Sequence, residues 1–188
     1  MLPSGLVVVN LSSVDGPERF DAKEAEMRKL RVRLAQAKGF GGVYEIVKDT
    51  VRRSLGTYRV GLMLYLDDLP LQLGAYHPVG SNAIVMNRAL LQIVESTAKS
   101  KNVVNAFVYS ILLHEYLHAL GYLEEYTVRP LVQRVSSESF GENHIATHLA
   151  RLGPWSILKG LPLDEVEAPK RVIEIVKDLE REDQKYII

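Results

Sequence analysis

The sequence predicts an α+β fold in which a small mixed sheet, with an irregular edge strand, packs on helices. Two kinds of pattern lead to this prediction. The stretch Tyr58–Leu66 is apolar at nearly every position, which is typical of a strand that is covered on both faces. Several longer stretches repeat apolar residues every three or four positions, as amphipathic helices do, and the most apolar of them covers Val103–Leu120.

Composition limits the classes of protein to consider. A chain of 188 residues with 47% apolar residues suits one domain, which we expect to span residues 1–188. The 23 basic and 23 acidic side chains cancel, so neither nucleic acid nor a membrane is an expected partner. The apolar N-terminus lacks a preceding cationic segment and does not resemble a signal peptide, so we expect a cytoplasmic protein. Without cysteine, a metal must be bound by His, Asp or Glu.

The first part of the chain predicts one strand followed by two helices. The apolar run Gly5–Leu11 is the strand. A helix is expected over Pro17–Lys38, because proline is favoured at the first helical position and an apolar stripe follows. The pair Gly41–Gly42 is expected to form a hinge, and a second helix over Val43–Leu55 to end at Gly56.

One or two short strands are expected after Tyr58–Leu66, around Ala75–Tyr76 and Ala83–Asn87. Pro78 lies between them, and proline confines a strand to an edge or a bulge of a sheet. An edge strand beside a cleft can hold an extended peptide by backbone pairing.

The remainder of the chain predicts helices. Asn87 can cap a helix over Arg88–Thr97, and the central helix Val103–Leu120 follows. Beyond it we expect a helix at Glu124–Ser137 that is bent or interrupted at Pro130. Two more helices are expected at Ser139–Leu152 and Pro169–Glu182.

The chemical motif lies in the central helix. His114, Glu115 and His118 form H-E-x-x-H within the apolar stretch Ile111–Gly121. Residues four apart lie one turn apart on the same helix face, so the two imidazoles can bind one zinc ion. Glu115, between them, can reach a metal-bound water and take its proton. Polar residues at inward positions of a buried helix are costly unless paired, and a metal pairs both histidines.

Residues 111–121 resemble the active-site helix of the zincin metalloproteases, and Ala119-Leu120-Gly121 looks like the metzincin extension of that motif. The resemblance implies a zincin-like fold, with residues 1–121 as the upper subdomain and 122–188 as a helical lower subdomain. It also implies peptide-bond hydrolysis with one zinc ion, and Glu115 as general base and then proton donor to the leaving amine. Two departures from the metzincin pattern exist: Glu124 occupies the position of the third histidine, and no methionine follows Met86.

The third metal ligand is open at the level of sequence, because catalytic zinc usually has three protein ligands. His144 is the first choice, as a neutral imidazole with no obvious packing role. Glu124 has the metzincin spacing, and Glu138 has a spacing that looks like the gluzincin arrangement. His148, one turn after His144, is the fourth choice.

Two functions remain under consideration. The first is a zinc metallopeptidase acting on a peptide or protein substrate, in which Tyr122, Tyr126 or His77 could donate a hydrogen bond to the oxyanion. The alternative is a non-catalytic zincin-fold module whose metal or buried histidines are structural and whose C-terminal helix docks a partner.

Overall fold

The computed structural model describes residues 17–159, 173–177, 179 and 180, with side chains from residue 21 onward. The predicted strand Gly5–Leu11 and the end of the chain, from residue 181, lie outside these residues. In chain order the elements are α1 (Pro17–Gln36), α2 (Gly39–Leu55), β1 (Met63–Asp67), β2 (Ala75–Tyr76), β3 (Ala83–Asn87), α3 (Arg88–Thr97), α4 (Lys101–Ala119), α5 (Glu125–Phe140), α6 (Ile145–Leu152), a 3-10 turn (Pro154–Leu158) and β4 (Glu174–Val176). The predicted α+β class is confirmed.

The break between the first two helices lies earlier than predicted. The expected hinge at Gly41–Gly42 is wrong, because α2 already begins at Gly39, whose φ of 60° makes the turn. The C-terminal end of α1 is capped by a side chain of the central helix: Asn105 of α4 donates its side-chain amide to the carbonyls of Leu34 and Ala37. The predicted end of α2 at Gly56 is confirmed, with φ 70°.

The sheet is mixed and has the strand order β2-β3-β1-β4. Strand β1 pairs in parallel with β3 and antiparallel with β4, and β2 pairs antiparallel with β3. The short strand at Ala75–Tyr76 is therefore an edge strand, as predicted. Strand β1 is shorter than predicted and is covered fully on one face only: Leu64 and Leu66 are buried, but Met63 is 38% exposed.

Helix α4 is the centre of the core. It packs against α1, α2, α5 and α6 and is buried almost all round, as its continuous apolar character predicts. Its bounds agree with the predicted Val103–Leu120 within two residues. Helix α3 begins where predicted, and the Asn87 side chain accepts a hydrogen bond from the Leu90 amide, 3.3 Å away.

The helices after α4 differ from the prediction in two respects. Helix α5 is not interrupted at Pro130, because its stripe of Val128, Val132 and Val135 is buried and outweighs one missing hydrogen bond. The segment predicted as one helix over Ser139–Leu152 is divided: α5 continues to Phe140, and α6 begins only after residue 144.

The predicted C-terminal helix Pro169–Glu182 is also wrong over the residues that the structure describes. Glu174–Val176 form β4, which extends the sheet beside β1. The reason is a non-local pairing: β1 offers a second edge, and Ile175 and Val176 are β-branched residues that suit a strand. None of the described helices is long and apolar enough to cross a membrane.

Candidate metal centre

The end of α4 turns the chain back toward its own last histidine. Tyr122 donates its amide to the Leu117 carbonyl at 3.2 Å, and Gly121 donates to the His118 carbonyl at 2.9 Å. These two bonds form a Schellman turn, in which Gly121 adopts the required positive φ of 99°. The Tyr122 carbonyl then lies 2.8 Å from Nδ1 of His118. Because a carbonyl only accepts, Nδ1 has the proton and Nε2 of His118 has a free lone pair.

The lone pair of His118 belongs to a group of three converging side chains. Nε2 of His118 lies 3.2 Å from Nε2 of His114. Oε1 of Glu125 lies 3.1 Å from Nε2 of His114 and 3.3 Å from Nε2 of His118. Within the residues that the structure describes, these are the His and acidic side chains whose ligand atoms come together in a group that could hold a metal ion.

The charges around Glu125 favour its ionised form. Burial raises its pKa, but His114 first, and then the hydrogen bond from Arg129, outweigh burial and hold the pKa below the ordinary value. Nε of Arg129 binds the second carboxylate oxygen at 3.1 Å, which leaves Oε1 directed at the histidines. Burial lowers the pKa of His114 and so favours the neutral imidazole that metals bind.

The structure places the residues proposed as third ligand elsewhere. His144 caps α6, with Nδ1 accepting from the Ala146 amide at 3.2 Å, and its ring stacks on Phe140. Glu138 is bonded to Ser54 and Arg134. None of these contacts directs either residue at the histidine pair.

The remaining two residues considered for the third position are exposed. Glu124 is the residue before α5, and His148 lies on the outer side of α6. Glu125, the residue directly after Glu124, is the one that approaches His114 and His118. The only sequence signal for Glu125 is that it is the first residue of the helix after α4. That signal is insufficient, because the approach of Glu125 to the histidines depends on the geometry of the intervening turn.

Glu115 lies buried beside the cluster, with 7% of its surface exposed. Burial first, and then the charge of Glu125, raise its pKa to about 7. The backbone N–H of His77 opposes this by stabilising the carboxylate. The end of β2 therefore borders the carboxylate of the motif.

The three residues considered as hydrogen-bond donors to an oxyanion, His77, Tyr122 and Tyr126, differ in burial and in their contacts. Nδ1 of His77 donates to the Ala83 carbonyl at 2.7 Å, so its tautomer is fixed in the same way as that of His118. Tyr126 is 78% exposed at the start of α5, whereas Tyr122 is half-buried. His77 is the candidate whose backbone the structure connects to Glu115.

Comparisons with known proteins give no further assignment. No family model, no curated protein and no solved structure matches this chain.

Proposed function

We propose that this protein is a zinc-dependent metallopeptidase in which His114, His118 and Glu125 hold one zinc ion. The supporting observation is the spacing of their three donor atoms, 3.1 to 3.3 Å. Tetrahedral zinc with bonds of about 2.0–2.1 Å places its ligand atoms about 3.3 Å apart. Two imidazole nitrogens and one carboxylate oxygen are also the donor set that suits a catalytic zinc.

Glu115 is the residue that moves protons in this proposal. When bound, zinc supplies a Lewis acid that polarises the scissile carbonyl and makes a water more acidic. The Glu115 carboxylate accepts a proton from the water whose oxygen adds to the carbonyl carbon. The same carboxyl group then gives that proton to the amine nitrogen as the carbon–nitrogen bond breaks.

The edge strand β2 supports a peptide as substrate. Among the described strands it pairs with β3 alone, and an edge strand of this kind can pair with an extended chain. The backbone of His77, directly after this strand, lowers the pKa of Glu115, which is consistent with the end of β2 lying beside that carboxylate. A peptide paired along β2 is thereby led to the residue that transfers the proton.

The test separates an enzyme from a module with a structural metal. Purified protein and the Glu115→Gln variant are analysed for zinc and incubated with a peptide library that is read by mass spectrometry. We expect about one zinc per chain in both proteins and cleavage by the unchanged protein alone. Protein without zinc overturns the metal site. Zinc in both proteins with no cleavage, or with equal cleavage, overturns the peptidase and favours the non-catalytic module.

A further inference from the structure

Arg59, in the segment between α2 and β1, contacts two parts of the protein that flank the metal centre. One guanidinium nitrogen, Nη1, donates to the Ala119 carbonyl at 2.6 Å, and the other, Nη2, donates to the Ser81 carbonyl at 2.9 Å. Ala119 ends the metal-binding helix α4, and Ser81 lies in the turn between β2 and β3. One side chain therefore joins these two elements.

The contact with Ala119 completes the end of α4. The last carbonyls of a helix have no partner within it and need one from outside. The carbonyls of Tyr116, Leu117 and His118 accept from the backbone of the Schellman turn. The Ala119 carbonyl accepts from Arg59, whose positive charge also suits the negative end of the helix dipole.

The backbone of Arg59 is itself attached to the metal-binding helix. Its N–H donates to the Tyr116 hydroxyl at 2.6 Å, and that hydroxyl donates to the Arg59 carbonyl at 2.9 Å. Tyr116 is fully buried and directly follows Glu115. The base of the arginine side chain is thus held in place before its guanidinium reaches the two carbonyls.

The contact with Ser81 leads to the other flank of the centre. The Ser81 hydroxyl accepts from the Ala83 amide at 3.1 Å, and the Ala83 carbonyl accepts from His77 Nδ1 at 2.7 Å. The His77 backbone N–H in turn stabilises the Glu115 carboxylate. These hydrogen bonds connect Arg59 through the β2–β3 turn to His77, whose backbone lies beside Glu115.

We propose that Arg59 is a positioning residue of the metal centre, which holds the end of α4 against the β2–β3 turn and so fixes His118 and Glu115 relative to His77. This inference rests on the proposed function. The planar guanidinium can bind two carbonyls at a fixed separation, whereas a lysine ammonium on a flexible stem holds them less rigidly. Arginine is therefore the residue type that the position requires.

The experiment measures metal binding by the full chain rather than its activity alone. Zinc affinity is determined by competition with a chelator, and the absorption spectrum of the cobalt(II)-loaded protein reports ligand geometry. The variants are Arg59→Met and Arg59→Lys, with Arg53→Met as control. Arg53 is exposed on α2, where it pairs with Glu26.

We expect Arg59→Met to bind zinc about tenfold more weakly, with a changed cobalt spectrum, because supports beyond the ligands typically have effects of this size. Arg59→Lys is expected to recover part of the affinity, and Arg53→Met to match the unchanged protein. Folded Arg59→Met with unchanged affinity and spectrum overturns the inference and leaves the proposed function intact. An unchanged protein that binds neither metal overturns the proposed function itself.

A second variant keeps the test decisive if Arg59→Met does not fold. Tyr116→Phe retains the buried ring and the guanidinium but removes the hydroxyl that holds the Arg59 backbone. We expect the same direction of change with a smaller loss, about threefold. Folded Tyr116→Phe with unchanged zinc affinity and cobalt spectrum then counts against the positioning role.

Discussion

Nδ1 of His118 donates a hydrogen bond to the carbonyl oxygen of Tyr122, four residues further along the chain and 2.8 Å away. Backbone geometry therefore helps to set the orientation of this imidazole. That geometry exists because Gly121 has a φ of 99°, a region that residues with a β-carbon rarely adopt.

Gly121→Ala is expected to weaken both the turn and the metal site. The strain of a positive φ costs about 1–2 kcal/mol of folding free energy, and the displaced Tyr122 carbonyl releases His118. We expect zinc affinity to fall about tenfold, measured by chelator competition. Gly56→Ala is the control, because Gly56 ends α2 with φ 70° and similarly open surroundings. Equal zinc affinity in the two variants would contradict the link between the turn and the metal.

Glu125→Ala is expected to lose zinc. Its Oε1 is the only carboxylate oxygen in the three-residue group, so the variant retains two protein ligands. We expect the zinc content of purified protein to fall from about one ion per chain to a small fraction of this. Glu124→Ala and Glu138→Ala, which change neighbouring or distant acidic residues, should keep the metal. Zinc loss in either of these, with retention in Glu125→Ala, would assign the third ligand differently.

His144 is expected to make the fold sensitive to acid. Burial, followed by the charges of Arg31 and His148, lowers its pKa from 6.5 to about 4. The unfolded chain therefore binds the proton first, so stability falls as the pH decreases from 6.5 toward 4. Protonation also removes the Nδ1 acceptor that caps α6. The expected loss is on the order of 1–3 kcal/mol.

The measurement compares urea unfolding at pH 7 and pH 4.5, in the presence of a chelator. His144→Asn keeps a capping side chain that does not titrate, so its stability should fall less on acidification. His148→Asn removes one of the charges that lower the pKa of His144, so it should reduce the acid-induced loss of stability only in part. Equal losses in all three proteins would remove His144 as the cause.

Asn87→Asp is expected to destabilise the fold strongly. The Asn87 amide donates to the carbonyls of Leu69, Pro70 and Leu73, while its oxygen caps α3. Aspartate keeps the cap but places a buried carboxylate against three carbonyl oxygens, at a cost of about 3 kcal/mol or more. Denaturant unfolding checks this against Asn82→Asp, a matched change at an exposed position. Similar midpoints for the two variants would show that the three amide contacts contribute little.

Local patterns were sufficient to predict helix α4 and the placement of His114 and His118 on one face of it. The apolar stretch around H-E-x-x-H predicts a buried helix, and spacing within a helix fixes which residues share a face. The edge strand at Ala75–Tyr76 and the cap at Asn87 also follow from residues within a few positions. These features depend on interactions between residues that are close together in the sequence.

Features that depend on the path of the chain could not be predicted in this way. Glu124 and Glu125 differ by one position, and only the Schellman turn decides which of them approaches the histidines. Ile175 and Val176 have a spacing that also suits a helix, and their pairing with β1 decides for a strand. In both cases the deciding contact is made by a part of the chain that a local pattern does not include.

The antiparallel pairing of β1 with β4 has a consequence for biosynthesis. Leu64 pairs with Val176, so one edge of β1 has no partner strand until the ribosome has added residues more than a hundred positions later in the chain. Contacts of such long sequence separation form slowly, and an unpaired strand edge is a site of aggregation until they do. This edge of β1 therefore stays unpaired on the nascent chain until the residues of β4 have been made.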